Sequence, residues 1–345
     1  MHHQPATVRR VTIVDVARHA GVSTTAVSKV LRNAYGTSSQ MRSRVNAAVD
    51  ELGYRPSAAA RALRGRTWTL GVMLPDVRNP FFADILDGVA EHLDGTEYQL
   101  FMTSGCDDVT SEARVTEAMI DRSMDGLILI APVSRPAHLE RVGRTVPTVV
   151  IGRHSRSTGF DTVNDDDFAG AGLMVAHLAG LGHRRIAHIE HRETDPVRLA
   201  EMPNALRADG YRHAMLSHGL GEHIDIVSTG YTRDGGYHGA RILLDRPVPP
   251  TAIFAGADVV ALGVLDALTE AGLSVPGDIS VSGYDDITLA GFRPISLTTV
   301  DQGGHRIGTT AIRLLLDRIT DPGRPAARVK LAPTPVVRAT TGPPR

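Results

Sequence analysis

Thr24, Thr25, Ser28 and Lys29 stand close together near the start of the chain, and their types suit a nucleic acid. A threonine hydroxyl donates or accepts a hydrogen bond and its methyl packs on that of thymine, while a lysine ammonium reaches guanine or a phosphate oxygen. On an isolated amphipathic helix the same residues would be only a solvated face. The charge distribution separates the two readings. Residues 1–66 hold eleven Lys and Arg against three acids, a charge of +8, in a chain whose formal net charge is −1. A basic head on an acidic remainder is the footprint of a nucleic-acid binder.

A second group lies far down the chain. Arg207 offers a forked donor, Asp285 a bidentate acceptor, and Phe81 or Phe82 an apolar platform, which together suit the vicinal hydroxyls and ring face of a polyol. Phe81 and Phe82 stand where a helix begins, so only one of them is expected to face a cleft and the other to be core. Asp258 and Asp286 have the alternative of capping helices. His188 and His191 lack the carboxylate or cysteine spacing of a metal site and read as ordinary polar histidines. The single cysteine, Cys106, excludes an intramolecular disulfide and reads as a small buried hydrophobe. G-x-S-x-G, Walker A and strand-linked G-x-G-x-x-G motifs are missing, so neither an enzyme nor a cofactor is expected.

The elements that must position the first group are short helices. Thr12 is placed to cap a helix carrying Ile13, Val16, Ala17 and Ala20, and Gly21 to end it in a left-handed turn. Ser23 caps a second helix with Ala26, Val27, Val30 and Leu31 on one face. Two helices joined through a glycine turn predict a helix-turn-helix, whose second helix enters the major groove. A third helix fits Ser39 to Leu52, with Ser38 or Ser39 as cap and Gly53 as stop. The following YRPSAAARAL segment has only Ala60 and Leu63 to bury and is too short to hold alone. Composition leaves two readings open, a plain linker or a helix whose Leu63 wedges between base steps in the minor groove.

Beyond Trp68 the pattern alternates. TLGVMLP, YQLFMTS, GLILIAP, TVVIGR, RIAHIE, AIFAG and ISVSGYD read as buried strands, with helices between them such as Phe82–Leu93, Glu112–Arg122 and Gly170–Leu181. Such alternation predicts doubly wound parallel sheets, and the stretch is long enough for two. Ligands of such sheets sit at the carboxyl ends of the strands, where Asp76–Phe82, Gly152–Arg153, Arg207 and Tyr284–Asp286 fall.

DVARHAGVSTTAVSKVLRN, ELGYRPSAAARAL, GVMLPDVRNPFFADILDGV, GHRRIAHI, RADGYRHAM, FAGADVVALGVLDAL and SVSGYDDITLAGFRPISLTTVDQ follow one another in this order. The chain thereby resembles the lactose-repressor (LacI/GalR) family of transcription regulators from Val11 to about Ile319. The resemblance implies a small all-α helix-turn-helix head (9–55), a hinge helix (56–66) and an α/β two-lobed periplasmic-binding-protein-like effector and dimerisation domain (67–345). Its lobes are expected at about 67–164 with 295–323, and 165–294 with 324–345. It implies a repressor that binds palindromic operator DNA as a homodimer or dimer of dimers, controlled by a small-molecule effector, a carbohydrate or related metabolite, in the interlobe cleft.

Carried over by position, Thr24 and Thr25 are the specificity pair, Ser28, Lys29 and Arg32 flank them, and Ser38 and Arg42 lie on the phosphate side. Thr12 joins the DNA-facing set, and Ala60 and Leu63 fall in the hinge, which favours minor-groove insertion over the linker. Because a Thr-Thr pair lacks long planar side chains, specificity is expected to lean on the hinge and on DNA deformability. Arg207, Asp285 and Gln302 match effector contacts. Asp258 matches the second residue of a usual Asn-Asp pair, but Ala257 replaces the asparagine and removes an amide. The charged stretch between Ile189 and Arg207 has two readings, a loop that alters the cleft mouth or a surface insertion, of which the second is preferred. A sugar-transport protein would share the two-lobed fold but bring an apolar leader, which MHHQPATVRR lacks, and no helix-turn-helix. A cytoplasmic protein with no membrane partner is expected.

Overall fold

Helix α1 (Ile13–Ala20) starts on a reciprocal cap. The Thr12 hydroxyl accepts the Asp15 N–H at 3.4 Å and the Asp15 carboxylate accepts the Thr12 N–H at 2.9 Å. Gly21 ends the helix at φ +63°, where any side chain would be strained and would meet the Arg44 guanidinium at 2.7 Å. Helix α2 (Thr24–Leu31) is capped by Ser23, whose hydroxyl accepts the Ala26 N–H at 3.1 Å. Helix α3 (Ser39–Leu52) takes Ser38 as its cap and Gly53 as its stop. Val16, Ala17, Ala20, Val27, Val30, Val45, Ala48 and Tyr54 form one small core between the three helices. Arg44 on α3 donates to the Ala20 and Gly21 carbonyls, fastening α3 to the turn between the other two. The computed structural model describes residues 11–31, 34–55, 65–105, 108–191 and 201–345. It divides into two units, Met1–Thr67 and Trp68–Arg345.

The second unit contains two parallel sheets. In the first, β1 (Thr69–Leu74), β2 (Gln99–Ser104), β3 (Gly126–Ile130), β4 (Thr148–Ile151), β5 (Asp161–Asp165) and β11 (Arg328–Leu331) run in the order β11-β5-β4-β3-β1-β2. Val72 is level with Met102 on β2 and Ile128 on β3. Both faces are covered, so β1 is buried on both sides. Leu70, Val72 and Leu74 join the core of helices α4 (Pro80–Leu93) and α11 (Gly304–Thr320). Met73 meets α5 (Val109–Asp121) and α6 (Pro136–Thr145) through Met119 and Leu139. Helices α4 and α11 pack at backbone distance, since a Cβ on Gly308 would lie 2.0 Å from the Ile85 carbonyl oxygen.

The second sheet has β6 (Ile186–His191), β7 (Asp225–Thr229), β8 (Ala252–Ala255) and β9 (Ser280–Ser282) in the order β7-β6-β8-β9. Ile186, Ala252 and Phe254 pack on α7 (Asp167–Gly180) and α8 (Pro203–Ser217) through Met174, Val175, Tyr211 and Met215. The alternate residues Ala187, Ile189, Ile253 and Ala255 pack on α9 (Arg233–Leu244) and α10 (Asp258–Glu270). A two-stranded antiparallel ribbon, β10 (Thr299–Asp301) with β12 (Thr334–Val336), completes the fold.

All seven strands read from apolar runs are present. Five further strands were not predicted, because β5 (DTVND), β7 (DIVST), β10, β11 (RVKL) and β12 carry too few apolar residues to stand out. The expected lobe boundary needs one correction. Residues 328–331, assigned to the second lobe with 324–345, pair with β5 in the first sheet. Asp161 causes this by accepting the Ala327 N–H at 2.6 Å and the Arg318 guanidinium at 2.7 and 2.9 Å, which draws the chain after α11 back to β5.

His188 shows what the parallel core does to an ionisable group. Its ring is fully buried and stacks between Tyr211 and Phe254, with Nδ1 2.9 Å from the Phe254 carbonyl oxygen. Burial pushes its pKa down to about 3, against a hydrogen bond that favours the charged form. The unfolded chain therefore binds a proton at pH 6.5 that the folded chain refuses until about pH 3, so this residue costs stability as the pH falls through that window. Relative to a His188→Phe variant, the protein is expected to lose roughly 2 kcal/mol between pH 7 and pH 5. Urea unfolding of both proteins at the two pH values measures the difference, and a pH-independent gap would contradict it.

Candidate functional site

On α2 the buried Val27 and Val30 face the core, leaving Thr24, Thr25 and Lys29 exposed and Ser28 half-buried. Thr12 is exposed, with its hydroxyl engaged in the α1 cap, and the Ser38 hydroxyl accepts the Met41 N–H at 3.2 Å. Arg42 is half-buried, its Nη2 3.5 Å from the Ala34 carbonyl oxygen. Arg32, Ala60 and Leu63, and with them the hinge, lie outside the described residues, as does Cys106. Arg44 gave no signal in the sequence beyond its charge, because its role depends on the turn that it clamps.

In the second unit the carboxyl ends of both sheets enclose a cavity of about 510 Å³. That is within the usual 300–1,000 Å³ of small-molecule sites. Phe81, Phe82, Gly152 and Asn164 reach it from the first lobe, and Asn204, Arg207, Tyr231, Ala257 and Asp285 from the second, with Gln302 beside the crossover. Both phenylalanines touch the cavity, and Phe81 is at the same time a residue of the hydrophobic core, as expected of one of the pair. Their rings stand 6.1 Å apart and tilted by 56°, with Phe81 buried and Phe82 half-buried. Ala257 lines the wall as an apolar patch.

Arg207 organises the polar corner. Its Nε donates to Asp167 at 2.7 Å and its Nη1 to the Gly256 carbonyl at 2.7 Å, with Asp285 Oδ1 3.7 Å away. The guanidinium lies 3.8 Å over the Tyr284 ring. Gln302 Nε2 donates to Asp285 Oδ1 at 2.6 Å. These bonds use Nε and Nη1 of the arginine and Oδ1 of the aspartate, so Nη2 and Oδ2 can turn to a guest. Burial is the largest influence on Arg207 and lowers its pKa, but Asp167, Tyr284, Asp285 and Tyr231 together outweigh it and hold the pKa well above the ordinary value. Burial raises Asp285 well above the carboxylate range, with Arg207 opposing. Asp167 ends below its ordinary value, because Arg207 and a 2.7 Å contact from His154 Nε2 overcome its burial.

Asp258 is a correction. It does not line the cavity, and its buried carboxylate accepts the Thr299 hydroxyl at 2.5 Å and the Ile287 N–H at 2.9 Å. Burial pushes it up to about 7 despite both bonds. It fastens the start of α10 to the crossover, with no face left for an effector. Among the described residues no group of His, Cys, Asp and Glu is placed to hold a metal ion.

Several cavity residues escaped the sequence reading. The acidic run Asp165–Asp167 divides three ways: Asp165 accepts the Tyr284 hydroxyl at 2.5 Å, Asp166 caps α7, and Asp167 holds Arg207. Three acids before a helix are a cap signal, but nothing local marks the third as the partner of an arginine forty residues on. Glu112 is fully buried and accepts the Val133 and Ser134 N–H groups, each at 2.9 Å, which fixes the loop that brings Val133 to the cavity.

A three-helix head with a glycine turn and, further along the chain, a two-lobed parallel α/β unit closing on a cavity are the parts of a DNA-binding regulator with an effector domain. Residues 12–57 match the family of bacterial regulatory proteins of the lacI type, and residues 175–341 match the periplasmic binding protein-like domain. The chain is 37% identical over 326 residues to the ribose operon repressor of Escherichia coli (strain K12), covering 93% of this chain and 97% of the relative. It is similar to the lac repressor dimer bound to operator and the anti-inducer ONPF, with TM-score 0.79, 25% identity and coverage of 97% and 100%. It is also similar to a LacI family regulator from Enterococcus faecium with bound ribose, with TM-score 0.68, 30% identity and coverage of 80% and 100%. The chain belongs to the LacI family of transcriptional repressors, whose DNA binding is controlled by an effector.

Proposed function

We propose that this repressor binds a palindromic operator as a homodimer in the cytoplasm, and that a sugar such as ribose, held between Arg207 and Asp285, changes its operator affinity. The polar corner of the cavity carries this reading: a forked donor and a carboxylate converge opposite two phenylalanine rings, as a polyol requires. The relatives support it, since one is a ribose operon repressor and another regulator of the family holds ribose. The exposed Phe101 and Met102 on the edge strand β2 are apolar surface suited to a second copy of the chain. The effector would act by favouring one of two lobe arrangements.

Thr24 and Thr25 would touch base edges, Ser28, Arg32, Ser38 and Arg42 would support them, and Lys29 would meet phosphate. Leu63 and Ala60 would enter the minor groove. Selection of bound duplexes from a random pool is expected to enrich a palindrome. On that duplex, Lys29→Ala removes one phosphate contact from each half-site, so it should weaken binding to all sequences alike and flatten the salt dependence by about two units of slope. Ribose should change the affinity of the parent protein. Failure to enrich any site would sink the DNA reading. A response to no sugar, polyol, nucleoside or purine would sink the effector reading.

A further inference from the structure

Beyond β4 the chain passes the cavity at Gly152, and each of the next three residues reaches Glu201. Arg153 Nε donates to Glu201 Oε2 at 2.9 Å, the His154 N–H to the Glu201 carbonyl at 2.8 Å, and the Ser155 hydroxyl to Glu201 Oε2 at 2.8 Å. Residues 153–155 lie between two strands of the first sheet, whereas Glu201 stands two residues before α8, which packs on the second. The contact therefore crosses from lobe to lobe. The His154 ring makes a second crossing, with Nε2 2.7 Å from Asp167 Oδ2 at the start of α7.

The first-lobe side of this contact is fixed. Arg153 is fully buried, and its Nη1 donates to the Pro132 carbonyl at 3.0 Å and to the Ser134 carbonyl. The Asn164 side chain holds both its backbone N–H, at 2.8 Å, and its carbonyl, at 3.1 Å. Glu201, with a side chain only 26% exposed, brings a carboxylate to this guanidinium from across the gap. Parting the lobes along this edge takes that carboxylate away from a buried arginine that cannot follow, which is costly. Neither Arg153 nor Glu201 lines the cavity, but their chain neighbours Gly152 and Met202 do. The two helices gripped here, α7 and α8, carry Asp167 and Arg207, the ion pair of the polar corner.

We propose that Glu201 is a positioning residue for the effector. Its clasp on Arg153, His154 and Ser155 holds the lobes at the separation where the phenylalanines of the first and Arg207 and Asp285 of the second meet one guest. This rests on the reading of the cavity as the effector site. The clasp favours the closed arrangement before any guest arrives, and a guest that needs both lobes binds in proportion to the fraction of protein already closed. Glu201 thus sets effector affinity without touching the effector.

The test compares the full-length parent with Glu201→Ala and Glu201→Gln, with D-ribose as the probe. Without ligand, exchange of the His154 amide hydrogen should be faster in Glu201→Ala, while β4 and the body of α8 keep their protection. The variant retains the carbonyl that accepts this amide, so faster exchange reports parting of the lobes and not a missing acceptor. D-Ribose should restore the protection. In calorimetric titration Glu201→Ala should bind D-ribose at least about fivefold more weakly, with faster dissociation, because a charged hydrogen bond no longer favours closure. Glu201→Gln can still accept from Arg153 and Ser155 and should lose less. Unchanged affinity or unchanged His154 exchange overturns the proposal and leaves the effector site standing. Exchange that rises throughout the second lobe also overturns it, since Glu201 would then serve the folding of that lobe. If the parent binds no D-ribose, the member of the sugar, polyol, nucleoside and purine panel that it does bind becomes the probe. If it binds none of them, the effector reading falls and the proposal with it.

Discussion

Replacing Arg207 with alanine is expected to destabilise the effector unit by about 3–5 kcal/mol, because it strands buried carboxylates rather than removing one contact. Asp167 would keep only His154, and Asp285 only Gln302. The Gly256 carbonyl would lose its donor and the Tyr284 ring its cation. Effector affinity should fall by at least ~30-fold, the equivalent of about 2 kcal/mol for one lost charged partner. The pH dependence identifies the mechanism. In the parent, Asp167 is held below its ordinary value, so its contribution is present above the unfolded carboxylate pKa and is lost only in stronger acid. Without Arg207, Asp167 and Asp285 would both titrate above the unfolded value, and each would then cost stability increasingly as the pH rises. The deficit of the variant should therefore be larger at pH 8 than at pH 5. Trp68 is the sole tryptophan and packs edge-on to Tyr98 at 5.0 Å, so its fluorescence reports unfolding of this unit directly. Arg207→Lys keeps the charge without the fork and should fall between. A deficit that is equal at both pH values would show that packing, rather than charge, is what Arg207 contributes.

The second large effect is expected at Asp161, far from any ligand. Its fully buried carboxylate takes two bonds from Arg318 and one from Arg324, and accepts the Ala327 N–H at the entry to β11. Asp161→Ala leaves one buried and one mostly buried guanidinium without a counter-ion, which again amounts to about 3–5 kcal/mol. Hydrogen exchange should show the loss concentrated in residues 328–331, since β11 hangs on β5 alone in the first sheet. The double variant Asp161→Ala, Arg318→Ala should lose less than the sum of the single changes, because the fully buried one of the two stranded guanidinium groups is gone and only Arg324 is left. Additive losses, or uniform exchange along the first sheet, would refute this account of how the last strand is held.

Arg207 and Asp161 show where sequence reasoning stops. The head was readable because its information is local: Thr12, Ser23, Gly21 and Gly53 mark helix ends within a few residues of the apolar stripe they bound. The strands of the sheet centres were readable because burial on both faces demands unbroken apolar runs, as in GLILI and AIFA. Strand β5 was not, since DTVND is polar by composition yet wholly buried, with Asp161 held by Arg318 and Arg324 and Asp165 by the Tyr284 hydroxyl. Arg207, Asp285 and Gln302 were named from the sequence, and the fold brings them together. Asp258 was named too, and the fold spends it on Thr299 and the Ile287 N–H.

By itself, then, the sequence determined the helix-turn-helix, the alternating α/β unit and the residue types at the cavity, since each follows from spacing along a few turns or strands. Tertiary structure alone decided which charges cancel. Whether Asp167 or Asp258 faces Arg207 depends on how β5, α7 and the crossovers meet. Coulomb pairing of buried groups acts through distances in space, and the chain order of 167, 207 and 285 carries no record of those distances.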